Sequence, residues 1–179
     1  KEAKLCGEAL GKVTLHAEDV LLYGCKDPKF VPNEKMVLKL FAEVAKVVER
    51  IGISHCSLAA VVSKPSLLEG INAIVGVGEK VSMFGVQTGV ETGSTRLMET
   101  YMHGKCLPFK PAEWCDVVEE AFSIMSEHSW VPAATLLIGL PSEREEDVLQ
   151  TIELVKRLRP YCSLIVPLIF IPMEVCALR

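Results

Sequence analysis

The chain has 179 residues, of which 50% are hydrophobic and 23% are charged, and its formal net charge is −4. This length and hydrophobicity predict one ordered domain over residues 1–179 and exclude a disordered chain. No basic cluster stands out, which argues against nucleic acid as the main partner. No apolar run approaches the roughly 20 residues of a membrane-spanning helix, so we expect no membrane partner within this segment.

Cysteine usage narrows the class of protein further. A zinc knuckle or an iron–sulfur loop needs closely spaced cysteine pairs, and no CxxC or CxxxC pair occurs in this sequence. Dispersed thiols in a chain of this length are typical of a reducing compartment, so we predict a cytoplasmic protein without a disulfide framework. The seven cysteines are Cys6, Cys25, Cys56, Cys106, Cys115, Cys162 and Cys176.

Helical and β-rich segments alternate along the chain. A helical pattern occupies residues 1–10, and later helical patterns begin near residues 33, 65, 94, 111 and 142. β-rich runs lie between them and begin near Val13, Ile53, Val81, Val131 and Ser163. This rhythm is typical of repeated βαβ units and predicts a parallel sheet.

The spacing also makes three local predictions. The apolar stripe of the first long helix continues to Ile51, with Gly52 as its stop. Residues 55–59 alternate in polarity, as a strand would. The segment of residues 142–145, Ser-Glu-Arg-Glu, reads as a capping box and predicts that the last helix begins there.

Several predicted strands have one polar face and one apolar face. Thr14, His16 and Glu18 share a face of the first strand, and Gln87 and Glu91 share a face of the third. An open parallel sheet covered on both faces would instead consist of continuous apolar runs. We therefore expect an α/β fold in which five parallel strands, in sequential order, form part of a (β/α) barrel with a polar lumen and helices on the convex side only.

Polar residues cluster where two of these strands end, at residues 16–19 and 87–94. Barrels of this type hold ligands at the carboxyl ends of their strands. Carboxylates in that position suit an ammonium group, ribose hydroxyls or a metal ion. His16, Glu18 and His55 are therefore an alternative set of ligands for a divalent metal, although their spacing is not diagnostic.

A third segment of interest is an apolar strand that runs into a glycine-containing turn and a helix start, over residues 135–143. A glycine in such a turn lets a planar ring lie against the backbone, and the helix N-terminus offers free N–H groups. Many βα loops share these features, so this segment alone predicts no particular ligand.

Together the last two segments resemble the radical S-adenosylmethionine (SAM) superfamily. Residues 85–96, GVQTGVETGSTR, resemble its G-I-E-S-G-S strand end, and residues 138–143, IGLPSE, followed by Glu146, Asp147 and Thr151, resemble its I-G-L-P-G-E-T turn and helix. The order of the segments and the helices between them match as well. The likeness is to the branch that often carries an N-terminal cobalamin-binding domain. It implies a partial radical SAM barrel, strands two to six of six, which starts after the family's CxxxCxxC cluster loop.

The resemblance implies SAM as a small-molecule cofactor, a [4Fe–4S] cluster whose ligands lie outside this chain, and cobalamin as a further cofactor. In the intact protein these cofactors would generate a 5′-deoxyadenosyl radical or support cobalamin-dependent methyl transfer, and the fragment alone would be inactive. The implied SAM-binding residues are Glu18 and Asp19 for the methionine ammonium, Glu91, Thr92 and Ser94 for the methionyl or ribose part, Gln87 in the lumen below, and Leu137, Ile138 and Gly139 for the adenine.

Two other functions are compatible with the sequence. One is a metal-dependent barrel lyase or aldolase that uses His16, Glu18 and His55, and the other is a non-catalytic partial-barrel scaffold. The strand at residues 13–17 would also present an open sheet edge, because its neighbour in a full barrel is missing. Unpaired N–H and C=O groups at such an edge invite pairing, so we expect an edge-strand dimer or a covering segment there.

Overall fold

The computed structural model describes residues 2–172 and has a mixed α/β architecture. The strands are β1 (Lys12–Leu15), β2 (Arg50–Ile53), β3 (Phe84–Glu91), β4 (Trp130–Ile138) and β5 (Leu164–Ile169). The helices are α1 (Glu2–Leu10), α2 (Glu34–Ala45), α3 (Leu58–Ser63), α4 (Ser66–Val75), α5 (Thr95–Tyr101), α6 (Trp114–Glu127) and α7 (Glu145–Leu158). Short 3₁₀ helices occupy Val20–Leu22, His103–Cys106 and Pro111–Glu113. No helix within residues 2–172 is long and apolar enough to cross a lipid bilayer.

All pairings between the strands are parallel. β1 pairs with β2, and β3, β4 and β5 form a three-stranded sheet in chain order. An isolated parallel bridge between His55 and Gln87 connects the segment after β2 to β3. Across it, Gln87 N donates to Ser54 O at 3.0 Å and Cys56 N donates to Gln87 O at 3.1 Å. The α/β class with parallel strands is confirmed, and the strands of the described residues form no closed barrel.

One face of β3 and β4 is buried, and the residues of the other face are exposed or partly exposed. The predicted alternation over β3 is confirmed, since Gly85 and Gln87 are exposed between buried neighbours. Helices α3 and α6 contact these strands, so the core forms between the helices and the buried face. The buried side chains are Phe84, Val86, Thr88 and Val90 of β3 and Trp130, Pro132, Ala134 and Leu136 of β4.

Two tryptophans anchor this core. Trp130 lies against Phe84 with ring centroids 4.5 Å apart, and its indole N–H donates to the Asn72 side chain at 2.7 Å. Trp114, the first residue of α6, donates its indole N–H to Val90 O at 3.0 Å. Because a buried indole N–H without a partner would be costly, these bonds allow both large rings to be buried.

Helix α2 is shorter than predicted. The apolar spacing suggested that it continues to Ile51, but the helix ends at Ala45 and β2 begins at Arg50. Ile51 instead pairs in register with Val13 of β1 and is buried. β-branched side chains favour extended backbone, and the helical spacing of Ile51 was therefore misleading.

Two further local predictions were wrong. Residues 55–59 do not continue as a strand, because the Ser57 hydroxyl accepts a hydrogen bond from Ala60 N at 3.2 Å and caps α3. The last helix begins at Glu145, with Arg144 as its N-cap, and not at Ser142. There the Asp147 carboxylate accepts from Arg144 N at 2.9 Å and so replaces the predicted capping box.

Candidate functional site

A polar cleft lies at the carboxyl ends of β2 and β3. Its volume is about 200 Å³, which is less than the roughly 300–1,000 Å³ that encloses a drug-sized ligand, so it fits one end of such a molecule. Three of the predicted site residues, Glu18, Gln87 and Glu91, meet in this cleft. Its complete lining is Glu18, His55, Cys56, Ser57, Gln87, Thr88, Gly89, Glu91, Lys105 and Thr135.

The floor of the cleft forms where β3 pairs with the segment after β2. The bridge between His55 and Gln87 sets these two residues side by side. Gln87 is exposed, and its amide makes no side-chain hydrogen bond within residues 2–172. His55 Nδ1 is buried and has no partner among these residues. Buried polar atoms without partners are uncommon, and a bound ligand or water often satisfies them.

Glu91 reaches the cleft through an irregular strand end. The register shifts between Gly89 and Glu91, so that Val90 is an extra residue opposite β4. Glu91 has a φ of 64°, and its carboxylate accepts from Lys105 Nζ at 2.8 Å. A Cβ on Gly89 would overlap that carboxylate and lie 2.5 Å from Lys105 Nζ. The ion pair therefore lies directly over Gly89 and requires a residue without a side chain there.

Glu18 supplies the second carboxylate of the cleft. The loop that carries it is fixed by Ser54, whose hydroxyl accepts from Ala17 N at 3.2 Å and donates to Ala17 O at 3.1 Å. Glu18 is exposed and makes neither an ion pair nor a side-chain hydrogen bond within the described part of the chain. Its negative charge is thus available to a cation in the cleft.

Asp19 has a different role from its neighbour Glu18. Its carboxylate accepts from Leu21 N at 2.9 Å and from Ser57 N at 3.1 Å. Burial raises the pKa of Asp19, although hydrogen bonds from Ser57 and Leu21 oppose that shift. Asp19 therefore ties the loop after β1 to the start of α3, which holds Glu18 in place, and it is not among the residues that line the cleft.

Thr92 and Ser94 are buried and also lie outside the cleft lining. The Thr92 hydroxyl lies 3.1 Å from the hydroxyl of Thr151 and accepts from Ser94 N at 3.1 Å. The Ser94 hydroxyl donates to the Asp147 carboxylate at 2.5 Å and caps α5. Both side chains bind other parts of the protein, so direct contact with a ligand in the cleft is not available to them.

The three residues assigned to the adenine lie at the end of β4, outside the polar cleft. Gly139 has a φ of 84°, and its N–H donates to the Glu143 carboxylate at 2.7 Å. It lies on the same rim as Glu91, because Glu91 pairs with Leu136 on β4. Leu137 and Ile138 line a second, apolar groove of about 300 Å³ with Val148, Ile152 and Val155 of α7.

Sequence reasoning missed two residues of this region. Lys105 belongs to the 3₁₀ helix His103–Cys106, and no motif marks it. Asp147 stands in the segment that carried the resemblance, and among residues 2–172 it is the only buried charged residue. The signal that could have identified Asp147 is a carboxylate at the third position of a helix, where it can accept from the backbone N–H of the N-cap residue.

Within residues 2–172 no group of three or more His, Cys, Asp or Glu is arranged to hold a metal ion. The rings of His16 and His55 are close, with centroids 5.9 Å apart, but with Glu18 they do not form such a group. The cleft thiol, Cys56, is buried, and burial raises its pKa well above the ordinary value. The described residues thus contain no group of three or more such side chains for a divalent metal or an iron–sulfur cluster.

Comparison with models of known protein families finds no match to this chain, and comparison with curated proteins finds no matching sequence.

Proposed function

We propose that this chain is the SAM-binding part of an enzyme of the radical SAM type, folded as strands two to six of its partial barrel. The observation that carries the proposal is the meeting of Glu18, Gln87 and Glu91 in one cleft at the strand ends. Each of the three was assigned to the cofactor through a sequence resemblance, independently of the cleft. The open polar face of β3 supports the same function, because it leaves room beside the cleft.

The chemistry of the cleft suits the methionyl end of SAM. The free carboxylate of Glu18 would accept a hydrogen bond from the methionine ammonium, an interaction of about 1.5–3 kcal/mol for a charged group. The exposed amide of Gln87 would bind a polar group deeper in the cleft. The volume of about 200 Å³ accommodates this end of the molecule, and the rest would extend over the rim toward Gly139.

When bound beside a reduced iron–sulfur cluster, SAM supplies radical chemistry, and with cobalamin it supports methyl transfer; the resemblance implies both. The described residues provide no ligand set for a cluster, so the proposed role of this chain is to bind and orient SAM.

Titration calorimetry of the purified chain with SAM tests the proposal. We expect saturable binding at one site, and about 10- to 100-fold weaker binding for Glu18→Gln, which removes the charge that faces the ammonium. The matched control is Glu120→Gln, at an exposed glutamate of α6. Absence of binding by the folded wild-type chain would contradict the proposal and favour a scaffold, as would equal affinity of Glu18→Gln and wild type.

A further inference from the structure

The loop after β3 is bound to the N-terminal turn of α7 through one carboxylate. Asp147 accepts from the Ser94 hydroxyl at 2.5 Å and from Arg144 N at 2.9 Å. The Arg96 guanidinium forms an ion pair with the same carboxylate and also contributes Nε at 3.3 Å. The side chain of Asp147 is 4% exposed, so these groups from two loops surround it almost completely.

The same network reaches the turn after β4. Arg96 Nη2 donates to Ser142 O at 2.8 Å. The Tyr101 hydroxyl donates to Pro141 O at 2.6 Å and lies 3.1 Å from the Ser142 hydroxyl. Ser142 has a φ of 61°, a conformation that an L residue adopts only where its surroundings enforce it. The turn that contains Gly139 is thus fixed by side chains of α5, the helix that follows the loop after β3.

Close backbone packing tightens this connection. Gly93 N donates to the Thr151 hydroxyl at 2.9 Å. A Cβ on Gly93 would lie 2.6 Å from Gln150 O and 2.8 Å from Thr151 Cα. Since those atoms belong to the backbone of α7, nothing could move aside easily. The loop that follows Glu91 is therefore pressed against α7 and cannot shift independently of it.

We infer that Asp147 is a positioning residue, which holds the strand end that carries Glu91 and the turn that carries Gly139 in one rigid arrangement for the ligand. The inference rests on the proposed function, because it assumes that SAM contacts both segments. Asp147 itself lines neither the polar cleft nor the apolar groove. Its effect on binding is thus indirect, through Ser94 on one side and Arg96 on the other.

Hydrogen exchange and calorimetry of Asp147→Asn test the inference. Asn has no negative charge to pair with Arg96. Its N–H₂ group, which cannot accept a hydrogen bond, would face groups that donate to Asp147 in the wild type. We expect amide exchange to rise about tenfold or more in two segments together, residues 91–94 and 139–142, and SAM affinity to fall by a similar factor. Exchange in β1 and β2 should not change. Asp147→Glu keeps the negative charge, so its amide exchange and its SAM affinity should lie between those of Asp147→Asn and the wild type.

The matched control is Arg157→Gln. Arg157 lies near the other end of α7, where it forms ion pairs with Asp116 and Glu119, and within residues 2–172 it forms no hydrogen bond or ion pair with either segment. This variant should leave exchange in both segments and SAM affinity unchanged. If Asp147→Asn does not fold, Arg96→Gln is the second variant: it removes the ion pair with Asp147, whose buried carboxylate keeps its hydrogen bonds from the Ser94 hydroxyl and Arg144 N.

The outcomes separate the inference from the proposed function. If only one segment exchanges faster, or if both do while SAM affinity stays at the wild-type value, Asp147 is not a positioning residue. If the wild-type chain binds no SAM, the proposed function fails and the ligand part of the inference fails with it. Exchange then still decides whether Asp147 couples the two segments.

Discussion

Glu91 and Lys105 form an ion pair, Oε1 to Nζ at 2.8 Å, directly over the backbone of Gly89. The ion pair connects the bulged end of β3 to the 3₁₀ helix that follows α5, and both side chains line the polar cleft. The ion pair sets the charge of the cleft, because Lys105 neutralises Glu91. Of the two carboxylates that line the cleft, Glu18 is then the one without an ion-pair partner among residues 2–172.

Gly89→Ala should change ligand binding more than stability. The added Cβ would displace the ends of two flexible side chains, Glu91 and Lys105, so we expect the free energy of unfolding to change by less than about 1 kcal/mol. SAM affinity should fall, because Glu91 leaves its place in the cleft. Gly85→Ala is the control in calorimetry and urea unfolding, since a Cβ at Gly85 meets no atom within 4 Å. Equal effects of the two substitutions would contradict this role of Gly89.

Glu91→Gln should weaken SAM binding, because it leaves the positive charge of Lys105 unpaired in the cleft that would hold the methionine ammonium. Its stability effect should be small, since the Lys105 side chain is 30% exposed and water screens the pair. In a double-mutant cycle with Lys105→Met, measured by urea unfolding, we expect a coupling energy of about 0.2–1 kcal/mol. A coupling near zero would show that the two side chains do not interact in solution. Unchanged SAM affinity would remove Glu91 from the site.

Asp147 should contribute an acid-sensitive part of the stability. The Arg96 guanidinium, with hydrogen bonds from Ser94 and Arg144, lowers the pKa of Asp147 from 3.8 to about 2. A carboxyl group whose pKa is lower in the folded state stabilises the fold above its unfolded pKa. That contribution is therefore complete above about pH 4 and is lost as the pH falls toward 2.

Asp147→Asn removes the titrating group, so its unfolding free energy should depend less steeply on pH between about 4 and 2 than that of the wild type. Denaturant unfolding at a series of pH values measures this. The same variant should be less stable at pH 7, by about 1.5–3 kcal/mol for one charge-assisted hydrogen bond. Parallel pH profiles of the two proteins would contradict the assignment.

The edge-strand dimer stays a prediction, and the structure indicates which edge should form it. Phe170 N donates to Ile138 O of β4, so the backbone groups of the even-numbered residues of β5 face β4. Those of the odd-numbered residues, including the nitrogen of Pro167, face the opposite side of β5. Proline has no N–H to donate there, which blocks regular pairing. In β1, Ser54 N donates to Leu15 O, so the backbone groups of the odd-numbered residues face β2. Those of Thr14 therefore face away from β2, and Thr14 has an N–H to donate at that edge.

We therefore expect self-association through β1, and Thr14→Pro should abolish it without breaking the β1–β2 pairing. Sedimentation velocity over a range of concentrations measures this. Thr14→Ser is the control, since it keeps the N–H and the hydroxyl. A dimer that persists in Thr14→Pro would place the interface elsewhere, and a wild-type chain that stays monomeric would contradict the edge-pairing prediction.

Much of the architecture could be predicted because it depends on local patterns. The alternation of Gly85 and Gln87 with buried neighbours identified the open face of β3, since side chains of a strand point to opposite sides in turn. The boundaries were less predictable. Ile51 fits a helical stripe and a buried strand equally well by spacing, and only its pairing with Val13 decides between them.

The sequence by itself thus determined the class of fold, the parallel strands and three polar residues of the cleft, because hydrophobic periodicity and strand ends are properties of neighbouring residues. Only the tertiary structure decided which other polar side chains face that cleft. Lys105 enters it, whereas Ser94 turns away to Asp147, 53 residues further along the chain. The physical reason is that a buried hydroxyl or carboxylate must find a partner, and that partner is chosen by packing between distant segments rather than by local spacing.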